Sequence, residues 1–149
     1  MVKAVVDTNL LISSLISPFS YPREIEKSWR ARRFILVTSR EIIEEINRVL
    51  HLPRIRVKYH LVETDIQAFI LTLIHKSNCV TGELALKGVA PDPGDDKIIS
   101  CAVEGKAQFI VTGDKALRQL KEYHGIKIVS AEEFIRFLNK TMHEPDSTK

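Results

Sequence analysis

The sequence has 149 residues, of which 44% are hydrophobic and 28% charged, and its formal net charge is +3. These values are typical of one globular domain with a substantial core, and the mild positive charge permits nucleic-acid binding without requiring it. The apolar runs are too short for a membrane span, the N-terminus lacks a signal-peptide pattern, and the two cysteines have no disulfide or metal-ligand spacing, so we predict a cytoplasmic protein.

The chain begins with a predicted buried strand that ends in an acidic tripeptide. Residues 2–6 are apolar apart from Lys3 and consist mainly of β-branched valine, and Asp7, Thr8 and Asn9 follow directly. Because ligands and metals bind at the carboxyl ends of strands in open α/β sheets, Asp7 is a candidate ligand. The alternative is that Asp7 only caps the next helix, since Asp and Thr are good N-cap residues.

After this tripeptide, helical and extended patterns alternate along the chain. The further predicted strands lie at residues 34–37, 79–80, 109–111 and 126–129. The predicted helices begin near Pro22 and then span residues 40–50, 65–77, 95–104, 116–123 and 131–138, with an irregular segment at 81–94. This alternation predicts a three-layer α/β/α fold with a central, mostly parallel sheet. Residues 1–139 are expected to form a single domain, followed by a polar C-terminal tail at 140–149.

Two clusters of basic residues lie outside the predicted strands. Arg23, Lys27 and Arg30 belong to the helix near Pro22, and Arg54 and Arg56 follow the helix at 40–50. Such clusters are usually solvated surfaces, but they can also follow a phosphate backbone. We predict that these five residues are the ones that bind nucleic acid.

Helical geometry distinguishes neighbouring acids on two predicted helices. With residues about 100° apart, Glu45 borders the apolar stripe of its helix, whereas Glu44 points towards solvent. The same construction directs Asp95 towards the apolar face of the later helix and Asp96 away from it. Asp96 is therefore expected to complement the helix dipole in the first turn.

Together with Asp114, which ends the strand at 109–111, these choices give four candidate acids: Asp7, Glu45, Asp95 and Asp114. Clustered carboxylates without histidine or cysteine suit Mg²⁺ or Mn²⁺ rather than zinc, and a water bound to such an ion can attack phosphate. Without metal, repulsion between the carboxylates favours protonation of some of them. The alternative is that these residues are surface acids that never meet, among the 19 in the chain.

Four segments resemble the PIN domain family, in the order that the family shows. They are Val-Val-Asp-Thr-Asn-Leu-Leu-Ile-Ser, Ser-Arg-Glu-Ile-Ile-Glu-Glu-Ile-Asn-Arg-Val-Leu, Asp-Pro-Gly-Asp-Asp-Lys-Ile-Ile and Ile-Val-Thr-Gly-Asp-Lys-Ala-Leu. The resemblance covers about residues 1–139. It implies a central parallel sheet related to the flap-endonuclease fold, and a ribonuclease that depends on Mg²⁺ or Mn²⁺.

Carried over motif by motif, the resemblance implies that the catalytic and metal-binding residues are Asp7, Glu45, Asp95 and Asp114. The supporting residues of this predicted site are Asn9, Thr112 and Asp96. Lys106 departs from the family pattern, in which Gly or another small residue is common before the third strand. Because of this departure, the resemblance accommodates either Asp95 or Asp96 as the inward acid.

The resemblance implies a metal-dependent endoribonuclease acting on single-stranded RNA, and the toxin of a toxin–antitoxin pair. Its implied partners are RNA, an antitoxin protein and a second copy of the chain, for which only Trp29 and the apolar positions of the helix at 65–77 offer anchors. The alternative is a catalytically inactive RNA- or protein-binding module on the same fold. Retention of all four acids argues against that alternative.

Other enzyme classes with an early strand and an acid fit the sequence poorly. A phosphatase of the haloacid-dehalogenase type needs a second Asp two residues after the first, where this chain has Asn9. A receiver domain needs adjacent acids near the first strand and a lysine on the last strand that reaches the acidic pocket, and we find neither. Glycine loops of the Walker or dinucleotide type are missing from the sequence, which argues against nucleotide-cofactor chemistry.

Overall fold

A computed structural model describes residues 1–143 and shows a six-stranded sheet in the order β3-β2-β1-β4-β6-β5. The strands are β1 (Lys3–Val6), β2 (Ile35–Ser39), β3 (Asn78–Val80), β4 (Phe109–Val111), β5 (Glu122–Tyr123) and β6 (Ile126–Val129). Every neighbouring pair is parallel except β5 and β6. The prediction of a mostly parallel sheet is confirmed, and β1 lies between β2 and β4.

Helices cover both faces of this sheet. Within residues 1–143 they are α1 (Thr8–Ile16), α2 (Tyr21–Arg30), α3 (Arg40–Leu50), α4 (Pro53–Arg56), α5 (Glu63–Lys76), α6 (Asp96–Glu104), α7 (Lys115–Gln119) and α8 (Ala131–His143). Crossovers run from β1 to β2 to β3 in one direction and return through α6 to β4. Because such crossovers are right-handed, α6 lies on the face opposite α1, α3 and α5, and it packs on β1, β2 and β4. In the part of the chain described, no helix is both long and apolar enough to span a membrane.

The central strands form because their side chains are apolar and largely β-branched. Ala4, Val5 and Val6 of β1 are buried, as are Ile110 and Val111 of the neighbouring β4. Burial on both faces is the normal environment of parallel strands, which accounts for their continuous apolar runs. The carboxyl ends of β1 and β4 are thereby fixed side by side, with Val6 opposite Val111.

Several predicted boundaries differ from the structure. The helix predicted at 116–123 is wrong at its end, because α7 stops at Gln119 and residues 122–123 form β5. His124 and Gly125 both have positive φ, of 47° and 86°, which gives the tight hairpin turn that joins β5 to β6. The last helix reaches His143, so residues 140–143 of the predicted tail are helical, and residues 144–149 lie outside the described part.

The residues expected to anchor a homodimer belong mainly to the core. Trp29 is 4% exposed, and its indole Nε1 donates to the carbonyl of Lys76 at 3.0 Å. Most apolar positions of α5 are also buried, with Leu71 and Ile74 left exposed. The apolar surface that α5 offers is therefore smaller than its sequence indicates.

The segment predicted as irregular is a strap, here defined as residues 81–90, that lies along α6. Asp96, Ser100 and Glu104 are spaced four residues apart, so they share one face of α6. Their side chains accept the backbone N–H groups of Gly82, Leu84, Leu86, Gly88, Val89 and Ala90. These hydrogen bonds satisfy strap amides that have no strand partner, and they fix the path of the chain into residues 91–95.

The strap is expected to loosen in acid before the sheet does. The Thr81 hydroxyl chiefly lowers the pKa of Glu104 from 4.5; partial burial opposes this, and the Leu84 and Gly82 amides add to it. A lowered folded pKa means that the contact stabilises above the ordinary pKa and is lost as pH falls through the folded pKa. Hydrogen exchange of the Gly82 and Leu84 amides, corrected for the intrinsic pH effect, should accelerate below that range.

Glu104→Gln supplies the control for this prediction, because glutamine has the same shape and does not titrate. In that variant, the pH-dependent change in exchange at Gly82 and Leu84 should disappear. Acid acceleration that is the same in both proteins would contradict the role assigned to Glu104.

Candidate active site

The candidate site lies where the direction of the sheet connections reverses. The connection after β1 leads to β2 on one side, whereas the connection after β4 leads to β6 on the other. In open α/β sheets, ligands bind in the crevice that this reversal opens at the carboxyl ends of the strands. Asp7 follows β1 directly, and Asp114 lies three residues after the end of β4.

Asp7 both caps a helix and belongs to the acid cluster. It is only 6% exposed, and its Oδ1 accepts the Leu10 amide at 3.1 Å as the N-cap of α1. Burial raises the pKa of Asp7 above its ordinary value, and the charge of Asp114 adds to this, against hydrogen bonds from Thr112, Leu10 and Asn9. The helix-cap interpretation is therefore correct without excluding Asp7 as a ligand.

Thr112 connects the two strand ends. Its buried hydroxyl donates to Oδ2 of Asp7 and accepts the Asp114 amide at 3.1 Å. Asp114 in turn caps α7, with Oδ1 accepting the Ala116 amide at 2.9 Å. One hydroxyl thus fixes a carboxylate from β1 relative to the backbone after β4.

Asp95 and Asp96 have different surroundings. Asp95 lies in the 3-10 turn Pro93–Asp95, and its carboxyl group is within hydrogen-bonding range of Asp114. Burial raises its pKa to about 6, with the hydrogen bond and charge of Asp114 and the charge of Asp7 adding to the effect. The structure places Asp95 with the other acids, whereas the carboxylate of Asp96 is engaged with the strap.

Glu45 borders the same crevice but is paired with a lysine. Its Oε2 lies 2.8 Å from Nζ of Lys97, which also donates to the carbonyl of Gly94 at 2.7 Å. Burial acts to raise the pKa of Glu45, but the Lys97 ammonium and the Thr8 hydroxyl outweigh it, and the pKa is lowered. Glu44 instead points to solvent, where it pairs with Arg40 at 2.7 Å.

Our sequence reasoning did not include Lys97. One signal was available, because Lys97 stands in the first turn of α6, where the helix dipole disfavours a positive charge. A lysine at such a position indicates compensation by a nearby acid. That acid, Glu45, is supplied by α3, which sequence periodicity does not connect to α6.

A small cavity of about 200 Å³ lies among these groups, lined by Asp7, Asn9, Glu45, Asp95 and Lys97. Thr8 lines it too, and its buried hydroxyl closes no hydrogen bond of normal geometry with any described residue. The acidic and hydroxyl oxygen donors, and the repulsion among Asp7, Asp95 and Asp114, fit a hard divalent cation. Among the side chains described, those of residues 1–141, no three His, Cys, Asp or Glu residues lie close enough together to enclose such an ion.

The basic residues predicted to bind nucleic acid are dispersed. Arg30 lines a cavity with Met1, Ile35 and Asn78, at the amino ends of the strands and opposite the acids. Arg23 lies 3.7 Å and Arg30 3.0 Å from Glu26, and Arg56 lies 3.6 Å from Glu63. Lys27 and Arg54 are exposed and form no ion pair with the described residues. The structure does not bring these five side chains together at the acidic crevice.

Comparison with known proteins assigns the family. The family model described as PIN domain matches residues 3–116, which is most of the chain. The chain belongs to the PIN domain family. Members of this family are typically nucleases.

Two further similarities agree with a PIN domain. The chain is 32% identical over 147 residues to the protein named "Uncharacterized protein MJ1680" of Methanocaldococcus jannaschii, and the alignment covers 93% of each sequence. Its fold is similar to the crystal structure of PAE2754 from Pyrobaculum aerophilum, with a TM-score of 0.59 and 14% identity. That similarity covers 93% of this chain and 90% of PAE2754, and it supports the PIN fold.

Proposed function

We propose that this PIN domain is a Mg²⁺- or Mn²⁺-dependent endoribonuclease that hydrolyses phosphodiester bonds in single-stranded RNA. The observation that carries the proposal is the convergence of Asp7, Asp95 and Asp114 at the switch point of the sheet, where burial and acidic neighbours raise the pKa of Asp7 and the pKa of Asp95. Repulsion between such carboxylates destabilises the folded protein unless a cation lies between them. Groups with perturbed pKa values of this kind cluster at functional sites. A binding module has no need for such repulsion.

The proposed ligands are Asp7, Asp95 and Asp114, with Glu45 at the edge of the set. A bound divalent cation supplies Lewis-acid activation of the phosphate and of the attacking water. Thr112 holds Asp7 in place through its hydroxyl, and the turn before α6 holds Asp95. Asn9 is exposed at the cavity, where its side-chain amide can donate to a phosphate oxygen without adding charge.

The biological role that we propose is the toxin of a toxin–antitoxin pair, with an antitoxin protein and a second copy of the chain as partners. Family membership supports this role. Leu71 and Ile74 of α5 are the exposed apolar positions that a second copy could cover.

The experiment that tests the enzymatic proposal measures cleavage of structured and unstructured RNA, with Mn²⁺ and with a chelator. Cleavage is expected only with the metal, and faster on unstructured RNA. Mn²⁺ should also raise the melting temperature, since a ligand at about 100 times its Kd stabilises the folded state by about 2.7 kcal/mol. If neither cleavage nor stabilisation occurs, the inactive binding module replaces the nuclease.

Adjacent glutamates on α3 provide a matched pair of variants. Glu45→Gln is expected to lower cleavage about tenfold or more, because it removes a carboxylate at the edge of the cavity. Glu44→Gln should leave cleavage unchanged, since Glu44 lies on the solvent side and loses only a surface ion pair. Initial rates under saturating Mn²⁺ check this prediction, and equal rates for the two variants would contradict it.

A further inference from the structure

We propose that Lys97 is a positioning residue that holds Glu45 apart from the three aspartates until a substrate phosphate takes over its ammonium group. Glu45 then becomes available to the cation, so that RNA binding and metal binding reinforce each other. The inference rests on the proposed nuclease function and deepens it, because it assigns a role in substrate binding to a residue outside the acidic set.

The first observation is the position of the ammonium group. Nζ of Lys97 lies 2.8 Å from Oε2 of Glu45 and 2.7 Å from the carbonyl oxygen of Gly94, with 16% of the lysine side chain and 26% of the glutamate side chain exposed. A single ammonium therefore connects α3, the 3-10 turn and α6. An ammonium has three N–H donors, and within residues 1–141, whose side chains are described, only these two acceptors are hydrogen-bonded to it.

The second observation is the space on either side of Lys97. Lys97 and Gly94 line both the acidic cavity of about 200 Å³ and a larger cavity of about 510 Å³ beneath the strap. The third N–H can therefore meet a group that enters from either cavity. Because Lys97 stands in the first turn of α6, an anion there is also favoured by the helix dipole, which disfavours the lysine itself.

The third observation is the incomplete acid cluster. No three acidic side chains of residues 1–143 enclose an ion as they stand, and Glu45 is the member whose charge is already compensated. With its carboxylate paired to Lys97, Glu45 has little electrostatic reason to turn towards a cation among the aspartates. A phosphate that binds Lys97 would remove this compensation, and the released carboxylate of Glu45 would then be able to join the aspartates in holding a cation.

This arrangement predicts a positive coupling between RNA and metal that passes through Lys97 and Glu45. By thermodynamic linkage, RNA must tighten metal binding by the same factor by which metal tightens RNA binding. The factor is expected to be about tenfold in the wild-type protein, within the usual range for coupled sites.

Isothermal titration calorimetry measures the Kd of Mn²⁺ with and without a short single-stranded RNA, and the ratio of the two values is the coupling factor. Binding of Mn²⁺ to the RNA alone is subtracted. The RNA carries non-hydrolysable phosphonate linkages, so that the protein cannot cleave it in the presence of Mn²⁺, and a gel confirms that it stays intact. Lys97→Met should bind Mn²⁺ about tenfold more tightly than wild type without RNA, and Glu45→Gln should bind it no more tightly. In both variants, RNA should increase the affinity for Mn²⁺ much less than in the wild type. Their affinities for Mn²⁺ without RNA should nevertheless differ from each other.

Two controls separate this role from a merely structural ion pair. Lys97→Arg keeps the positive charge and should keep most of the coupling, and Glu44→Gln should keep all of it. Melting curves without metal establish that each variant is folded. A structural ion pair would lower the melting temperature of Lys97→Met and Glu45→Gln alike and leave the coupling unchanged.

The proposal is overturned if Glu45→Gln keeps the wild-type coupling, or if Lys97→Met binds Mn²⁺ no more tightly than the wild type. Failure of the nuclease proposal looks different, because the wild-type protein would then show neither Mn²⁺ binding nor cleavage.

Discussion

Asp7→Asn is expected to reduce Mn²⁺-dependent cleavage at least about 100-fold, more than the loss usually seen when a partner of a metal ligand is removed. Asparagine keeps the shape of the side chain while removing one of the negative charges that would hold the cation. Metal binding and cleavage should therefore fall together. In the same variant, Mn²⁺ should no longer raise the melting temperature, which is a second measurement independent of RNA.

The fold of Asp7→Asn should survive, because the new side chain can replace the contacts of the old one. Its oxygen can still accept the Leu10 amide, and its NH₂ group can donate to the Thr112 hydroxyl. Burial raises the pKa of Asp7, so the charged form destabilises the folded state at neutral pH. Without metal, the free energy of unfolding should be unchanged or higher by up to about 1 kcal/mol.

Asp65→Asn is the matched control for this variant. Asp65 is exposed in the first turn of α5, and the substitution changes the net charge of the protein by the same amount. Cleavage and stabilisation by Mn²⁺ should both match the wild type. If Asp7→Asn behaves like Asp65→Asn in both measurements, Asp7 does not hold the cation.

Local periodicity was enough to orient acids within single helices. The angle of about 100° between successive residues directed Glu45 inward, and in the structure its neighbour Glu44 points to solvent. The same angle was applied to Asp95, which in the structure lies in the 3-10 turn before α6 rather than on the helix. The apolar runs at 2–6 and 109–111 likewise predicted buried strands, because burial on both faces demands such residues. These features depend only on the residues of one element.

Contacts between distant elements could not be predicted in the same way. The path of the strap could not be predicted from its own sequence, which has no periodic pattern. Its conformation is fixed by three side chains of α6 that accept hydrogen bonds from its backbone amides. The pairing of Lys97 with Glu45 joins α6 to α3, and the separation of Arg30 from the acids follows from the direction of α2 across the sheet. Strand β5 was missed because two residues carry too little pattern to outweigh the helix before them.

Two buried threonines lie near the ends of β2 and β4, and they differ in whether their hydroxyl groups are hydrogen-bonded. This difference allows the contribution of the Thr112 hydroxyl to stability and cleavage to be tested. Both Thr38 and Thr112 have no exposed surface. The Thr38 hydroxyl has no hydrogen-bond partner among residues 1–143, whereas that of Thr112 bonds to both Asp7 and Asp114. The same substitution, threonine to valine, therefore removes an unpaired polar group at one position and two hydrogen bonds at the other.

Thr112→Val is expected to lower the free energy of unfolding by about 1–3 kcal/mol, because the Asp114 amide loses its acceptor and the buried Asp7 loses a donor. Cleavage should fall about 10- to 100-fold, as is usual when the residue that orients a metal ligand is removed. Thr38→Val should be neutral or stabilise by up to about 1 kcal/mol, since burying an unpaired hydroxyl is unfavourable, and its cleavage should match the wild type. Urea unfolding and initial rates measure both quantities. Equal stability and equal rates in the two variants would show that the Thr112 hydroxyl does not organise the acids.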